Sequence, residues 1–183
     1  MSSFDLTHNF VVSYSYEIPF SRAFSTLPKR LTQGWSVAGI TRFSTGFPVS
    51  ISQSGDRSLI GSSGTDVPDQ VGQVVIQDPR LGGPTRPNLY FAKSAFVSGP
   101  LGAFGNSNRR FFHGPGLNNW DFSLHKDTRI REAMTLQFRA EFFNFFNHAQ
   151  FNNPNGNFNS SLFGYVSTAR DPRIGQMSMK FLW

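Results

Sequence analysis

The stretch that decides the fold is residues 174–183, IGQMSMKFLW, in which apolar and polar side chains alternate. The apolar positions are Met177, Met179, Phe181 and Trp183, and the polar positions between them are Gln176, Ser178 and Lys180. Successive side chains of a β-strand point to opposite faces, so this alternation predicts a strand with one apolar and one polar face.

The same alternation recurs four times earlier in the chain, and helical periodicity is almost absent. The predicted strands cover approximately residues 8–20, 34–52, 118–128, 134–146 and 174–183. In the fourth of them, Leu136, Phe138 and Ala140 alternate with Gln137 and Arg139. The sequence therefore predicts an all-β chain of about five antiparallel strands.

The links between the predicted strands alternate in length. Short links fall around SRAFSTLPKRLTQ and TRIREA, whereas long loops cover about 53–117 and 147–173. Up-and-down transmembrane β-barrels have short periplasmic turns and long extracellular loops, because backbone amides in lipid must all be paired within a closed sheet. We expect a segment of such a barrel; a soluble β-sandwich is the alternative, because its strands also alternate.

Composition agrees with strands that have one apolar face. Aromatic residues make up 15% of the chain and charged residues only 15%, below the share of about 25% in typical globular proteins. The net charge of +6 comes from dispersed basic residues, with adjacent pairs only at Lys29–Arg30 and Arg109–Arg110, so we expect no nucleic-acid partner. The sequence has no cysteine and no apolar run long enough for a transmembrane helix.

Motifs that carry chemistry are missing, and we expect neither enzymatic activity nor a cofactor or metal. The four histidines do not have the spacing of metal ligands, and no nucleophile elbow occurs. Asp121, Arg139 and Glu141 lie at polar positions of the strands and are interpreted as a lumen-facing polar network. Residues 142–159, rich in Phe and Asn, suit a strand rim with turns better than a sugar-binding platform.

Five stretches, in order and spacing, carry a resemblance to a known family. They are FVVSYSYEIPF, GWSVAGITRFSTGFPVSIS, GPGLNNWDFSLHKDTRI, LQFRAEFFNFFNHAQFNNPN and FGYVSTARDPRIGQMSMKFLW. They resemble the carboxyl-terminal barrel segment of TonB-dependent outer-membrane receptors, in particular the acidobacterial Oar-like type with a carboxypeptidase-regulatory-like domain. The resemblance implies a complete barrel of about 22 strands, with a plug, TonB box and export signal outside these residues.

The resemblance also implies a location and partners. The protein would lie in the outer membrane of a Gram-negative bacterium, contact its lipid, take up a bulky substrate that the sequence does not identify, and contact the TonB complex through the missing amino-terminal part. Met177, Met179, Phe181 and Trp183 would form a signal that the barrel-assembly machinery recognises by strand pairing. Two alternatives remain, a passive structural or adhesive barrel and a soluble aromatic-rich β protein that binds glycans or nucleic acid.

Overall fold

The structure is a computed structural model that describes residues 1–62, 66–82 and 88–183. The strands it describes are β1 (Asn9–Ile18), β2 (Trp35–Ser44), β3 (Asp69–Gln70), β4 (Asn88–Leu89), β5 (Phe96–Val97), β6 (Leu117–Arg131), β7 (Met134–Phe143), β8 (Tyr165–Val166) and β9 (Ile174–Leu182). The α-helices in these residues are α1 (Phe20–Ala23) and α2 (Lys29–Thr32), and short 3-10 turns cover Pro79–Gly82 and Lys93–Ala95. Within the described ranges, no helix has the length and apolar character needed to cross a membrane.

The chain divides into two compact units. The sheet unit comprises Asn9–Phe43, Asn118–Ala149 and Asp171–Trp183, and the loop unit comprises Met1–His8, Ser44–Leu117 and Gln150–Arg170. The long strands form one five-stranded sheet in the order β1-β2-β6-β7-β9, which is their order along the chain. The predicted all-β, antiparallel fold is confirmed.

The register of β6, β7 and β9 separates apolar from polar side chains. Leu124 lies opposite Ala140, which lies opposite Met177 on β9, and all three belong to the apolar face. In the next row, Ser123, Glu141 and Gln176 lie side by side on the polar face. Trp120, Phe122 and Leu124 therefore share a face with Leu136, Phe138 and Phe142, as the alternation predicts. A two-residue turn at Glu132 and Ala133 joins β6 to β7.

Two glycines on the apolar face each lie beside an aromatic ring. A Cβ atom at Gly39 on β2 would come within 2.6 Å of the Tyr14 hydroxyl and 2.7 Å of the backbone oxygen of Asp121. A Cβ atom at Gly175 on β9 would lie 3.2 Å from the ring of Phe142, its cross-strand partner. The absence of a side chain at each glycine leaves the space that the neighbouring aromatic ring occupies.

The predicted strand over 34–52 is wrong beyond Ser44. Pro48 has no N–H for a strand ladder and lies near the start of the excess segment. The backbone N–H groups of Val49 and Ile51 instead donate to Phe112 and Arg109, inside the loop unit. The alternation continues through this segment because Val49 and Ile51 point into the loop unit's core, where both are fully buried.

The loop unit has an apolar core of its own. The buried members are Val49, Ile51, Tyr90, Phe91, Ala95, Phe96, Phe163 and Val166, and the rings of Phe111, Phe112, Phe151 and Phe158 pack against them. The ring of Phe91 lies edge-on to those of Phe96, Phe112 and Phe163 at centroid distances of 6.0, 5.2 and 5.1 Å. The described residues of the segments predicted as long loops thus fold around buried aromatic rings, with the short strand pairs β3–β5 and β4–β8; residues 63–65 and 83–87 of the first predicted loop lie outside the described residues.

Candidate functional site

The polar face of the sheet brings together two of the three residues predicted to form a network. The Arg139 guanidinium lies 3.5 Å from Oε1 of Glu141, and the Gln176 amide donates to the other oxygen of Glu141 at 2.5 Å. The Arg139–Glu141 pair lies within one strand, whereas Gln176 adds a link to β9. Gln176 was missed because its role depends on the register between β7 and β9, which alternation alone does not determine.

Asp121, the third predicted member, lies on the same face but hydrogen-bonds elsewhere. Its carboxylate accepts from the backbone N–H of Asn144 at 3.0 Å and from the side-chain amide of Asn119 at 2.9 Å. Asn144 has a positive φ of 49°, a conformation that asparagine adopts more readily than most residues. The carboxylate of Asp121 therefore fixes the turn that follows β7, and the structure does not join it to Arg139 or Glu141.

Three of the four residues predicted as an assembly signal, Met177, Met179 and Phe181, lie on β9, at one edge of the five-stranded sheet. Met177, Met179 and Phe181 continue the apolar face, opposite Ala140, Phe138 and Leu136 of β7. Trp183 follows the strand with 88% of its surface exposed, and its ring stacks on that of Phe181 at 6.0 Å between centroids. These side chains form a continuous apolar strip along a strand edge.

A buried lysine on the apolar face was not anticipated. Lys126 lies opposite Phe138 and is 9% exposed. Its ammonium donates to the backbone oxygens of Arg30, at 2.9 Å, and Gln33, and lies 5.5 Å from the centre of the Trp35 ring. The sequence did contain a signal, because Lys126 occupies an apolar position in the alternation of NWDFSLHKD. Burying a charge is unfavourable unless it is hydrogen-bonded, so a lysine at such a position indicates that polar partners lie nearby.

Asp66 forms a buried polar centre in the loop unit. Its carboxylate accepts hydrogen bonds from the Ser58 hydroxyl at 2.7 Å and from the backbone N–H groups of Arg57 and Ser58 at 2.6 and 3.0 Å. The Ser58 hydrogen bonds lower the pKa of Asp66 below its usual value of 3.8, against the opposing effect of burial. The carboxylate thus orders the turn that begins at Asp56.

We expect this carboxylate to make the loop unit sensitive to acid. Because the folded-state pKa of Asp66 is depressed, its contribution to stability is complete above the unfolded value and is lost as pH falls through the folded-state pKa, below about 4. Asp66→Asn should lower the thermal midpoint of the loop unit's near-UV circular dichroism at pH 7 and flatten its pH dependence below 4. Asp78→Asn is the matched control. The exposed Asp78 carboxylate pairs with the Arg80 guanidinium at 3.9 Å and accepts from the Arg80 backbone N–H at 2.9 Å, a bond that the asparagine oxygen can keep, so the change should alter neither quantity.

The described residues contain no group of three or more His, Cys, Asp or Glu side chains that could hold a metal ion. The features that could act on a partner are instead surfaces: the polar face with Arg139, Glu141 and Gln176, the apolar face that β9 completes, and the folded loop unit. A sheet with one continuous apolar face and one polar face suits a boundary between lipid and water.

Comparison with known proteins agrees with that geometry. The family model described as an outer membrane beta barrel domain matches residues 1–176, which includes all five long strands up to Gln176 of β9. No curated protein and no solved structure matches the chain. The match leaves the soluble alternative without support, since members of this family lie in the outer membrane of Gram-negative bacteria. The chain belongs to the outer membrane beta barrel domain family.

Proposed function

We propose that this chain is the carboxyl-terminal barrel segment of a TonB-dependent receptor that takes up a bulky substrate across the outer membrane. The proposal rests on the observation that the long connections fold into a loop unit with its own apolar core. Its segments connect β2 to β6 and β7 to β9 and enclose a buried aromatic core. Binding residues are commonly placed on loops held by a rigid scaffold, and a folded loop unit can hold them in fixed positions.

The proposed partners follow from this role. The apolar face contacts outer-membrane lipid, and the TonB complex acts through an amino-terminal part of the complete receptor. The resemblance of RAEFFNFFNHAQF and ARDPR to the receptor family supports this assignment over other barrels. We propose no catalytic role, because the polar face presents one ion pair with an amide and the sequence has no nucleophile motif.

A passive structural or adhesive barrel is the second candidate, favoured by the regular polar face, which would suit a water-filled lumen. Electrical conductance separates the two, because a receptor lumen is closed by its plug. The complete protein, purified from outer membranes and inserted into planar bilayers, should conduct only after its amino-terminal part is removed. Steady conductance by the intact protein, with no in vivo crosslink to TonB, would support the passive barrel instead.

β9 is the proposed recognition strand for the barrel-assembly machinery. As an edge strand of the five-stranded sheet it has backbone groups available for pairing with another strand, which is how β-augmentation operates. In such pairing, specificity comes from the alternate side chains of the added strand, which here are the apolar strip of Met177, Met179, Phe181 and Trp183. Met177 and Met179 are 72% and 69% exposed in the sheet described.

Trp183→Asp should sharply lower the outer-membrane level of the complete protein while changing the stability of assembled molecules by less than about 1 kcal/mol. The reason is that the exposed indole contributes little burial, since transfer free energy follows the area removed from water. The amount of heat-modifiable protein in outer-membrane fractions measures assembly, and urea unfolding in vesicles measures stability.

The matched control for that experiment is Trp35→Asp. The Trp35 ring packs edge-on against Phe20 at 6.0 Å and under the Lys126 ammonium, so its replacement should lower stability with a smaller defect in assembly. Equal membrane levels of Trp183→Asp and wild type would contradict the role proposed for the strand.

A further inference from the structure

The connection between β1 and β2 lies against the apolar face of the sheet at the end that carries the short turns. The Trp35 indole N–H donates to the backbone oxygen of Leu31 at 2.7 Å, and the Lys126 ammonium donates to the oxygens of Arg30 and Gln33. The Arg30 guanidinium in turn donates to the oxygen of Ile130 at 3.2 Å, close to the β6–β7 turn. Residues 20–33, named here the rim segment, are thus fastened to β2 and β6.

The rim segment exposes apolar side chains next to basic ones. Phe24, Leu27 and Leu31 are 52%, 48% and 62% exposed. The segment carries Arg22, Lys29 and Arg30, and its helices are too short to bury an apolar stripe of their own. The apolar face of an outer-membrane barrel faces lipid, so a segment held on that face at the ends of the strands lies at the membrane–water interface. Exposed apolar and basic side chains together are typical of segments that bind there.

A basic cleft opens between the rim segment and the end of β6. It has a volume of about 440 Å³ and is lined by Lys29, Arg30 and Gln33 from the rim segment and by Asp127, Arg129 and Arg131 from β6. Four of these side chains are basic and one is acidic. Among the residues that the structure describes, the side chains of Lys29 and Arg131 have no ion pair or hydrogen bond, so their N–H groups are available to a ligand.

We propose that this cleft binds the phosphate of an anionic phospholipid in the periplasmic leaflet of the outer membrane, with the lipid's acyl chains lying against Leu27 and Leu31. The charge of the cleft matches a phosphate, for which guanidinium groups are the preferred donors. The neighbouring exposed leucines match hydrocarbon, which a free phosphate ion lacks. The short connections of outer-membrane barrels face the periplasm, which places the cleft beside that leaflet. The proposal depends on membership of the barrel family and not on the uptake function.

The buried ammonium of Lys126 fits the same role. It occupies the backbone oxygens of Arg30 and Gln33, which would otherwise present partial negative charge at the cleft. By holding both oxygens and the Trp35 ring, it keeps the rim segment on the apolar face with Lys29 and Arg30 beside β6. Lys126 is a positioning residue here, and the four basic side chains of the cleft are the proposed phosphate-binding residues.

The test uses the complete protein extracted from outer membranes into a neutral detergent. Calorimetric titration compares dihexanoylphosphatidylglycerol, dihexanoylphosphatidylcholine and inorganic phosphate. We expect saturable binding of the phosphatidylglycerol and at least tenfold weaker binding of the other two. The double variant Lys29→Gln with Arg131→Gln should weaken binding of the phosphatidylglycerol by about 10- to 30-fold, as the removal of two charges near a lipid phosphate predicts.

The controls separate charge in the cleft from charge in general. Arg80→Gln with Arg170→Gln removes the same net charge from the loop unit and should leave lipid affinity unchanged. Leu27→Ser with Leu31→Ser should weaken binding of the phosphatidylglycerol and leave that of phosphate unaltered. Heat-modifiability checks that each variant is folded, and Lys29→Gln alone, at an exposed side chain without a described partner, provides a milder second variant.

Three results would overturn the proposal. The first is equal affinity for the anionic and zwitterionic lipids, and the second is wild-type lipid affinity in the folded Lys29→Gln, Arg131→Gln variant. The third is phosphate binding as tight as that of the phosphatidylglycerol, which would assign the cleft to a free anion.

Discussion

Leu124→Arg is expected to destabilise the folded barrel by about 2–4 kcal/mol, the cost of a basic side chain on the lipid face near the middle of a transmembrane strand. Leu124 lies in the apolar row with Ala140 and Met177, well inside β6. An arginine there has no polar partner across the row, so its charge would be placed in hydrocarbon. Urea unfolding in phospholipid vesicles, followed by tryptophan fluorescence, measures the change.

Gln176→Arg is the matched control for that experiment, because it adds the same charge in the adjacent row on the opposite face. Gln176 already donates to Glu141, so an arginine in its place would form an ion pair on the polar face, with a stability change of less than about 1 kcal/mol. Equal destabilisation by the two variants would contradict the assignment of the faces to lipid and lumen.

Gly39→Val should destabilise the sheet unit strongly, with a loss of about 3 kcal/mol in the free energy of unfolding. The new Cβ would overlap the Tyr14 ring and the backbone oxygen of Asp121, and overpacking of this kind costs about 1–3 kcal/mol or more. The Tyr14 ring could move away, but the Asp121 oxygen belongs to β6 and is held in the sheet. Urea unfolding in vesicles measures the loss.

Gly175→Ala serves as the comparison for Gly39→Val. Its Cβ would lie 3.2 Å from the Phe142 ring and at an ordinary contact distance of 3.9 Å from the backbone oxygen of Glu141, and the ring can shift by a few tenths of an ångström. We expect a loss below about 1 kcal/mol there. Tyr14→Ala should fail to rescue Gly39→Val, because the overlap with the Asp121 oxygen remains; full rescue would mean that the ring alone excludes a side chain.

The sequence predicted the sheet well because the strand period is a local property. Alternation locates β1, β6, β7 and β9 to within a few residues. The alternation within each strand also assigns Phe122 and Phe138 to the apolar face. The same rule failed at 45–52, where an alternating segment buries Val49 and Ile51 in the loop unit. Alternation indicates that one side of a segment is buried, but it does not identify the residues that cover that side. Pro48, which has no N–H for a strand ladder, was therefore the better sequence signal that the strand had ended.

The polar groups were harder to predict because their partners are distant in sequence. Arg139 and Glu141, two residues apart, lie 3.5 Å from one another, whereas the carboxylate of Asp121 accepts from the Asn144 backbone and contacts neither of them. Lys126 contacts carbonyl oxygens more than ninety residues earlier, which no local pattern reveals. The alternation within a strand assigns a charged side chain to one face of the sheet. Predicting its hydrogen bonds also requires the register between the strands and the path of the connections between them.

The loop unit has a consequence for how proteins of this kind diverge. Its core is assembled from both long connections, since Ile51 and Phe91 come from the first and Phe163 from the second. The backbone of Tyr90 also donates to the oxygen of Gly164, so the two connections share hydrogen bonds as well as packing. A change of volume at Phe163 therefore alters the packing around Phe91, and the two connections are expected to change together as homologous proteins diverge.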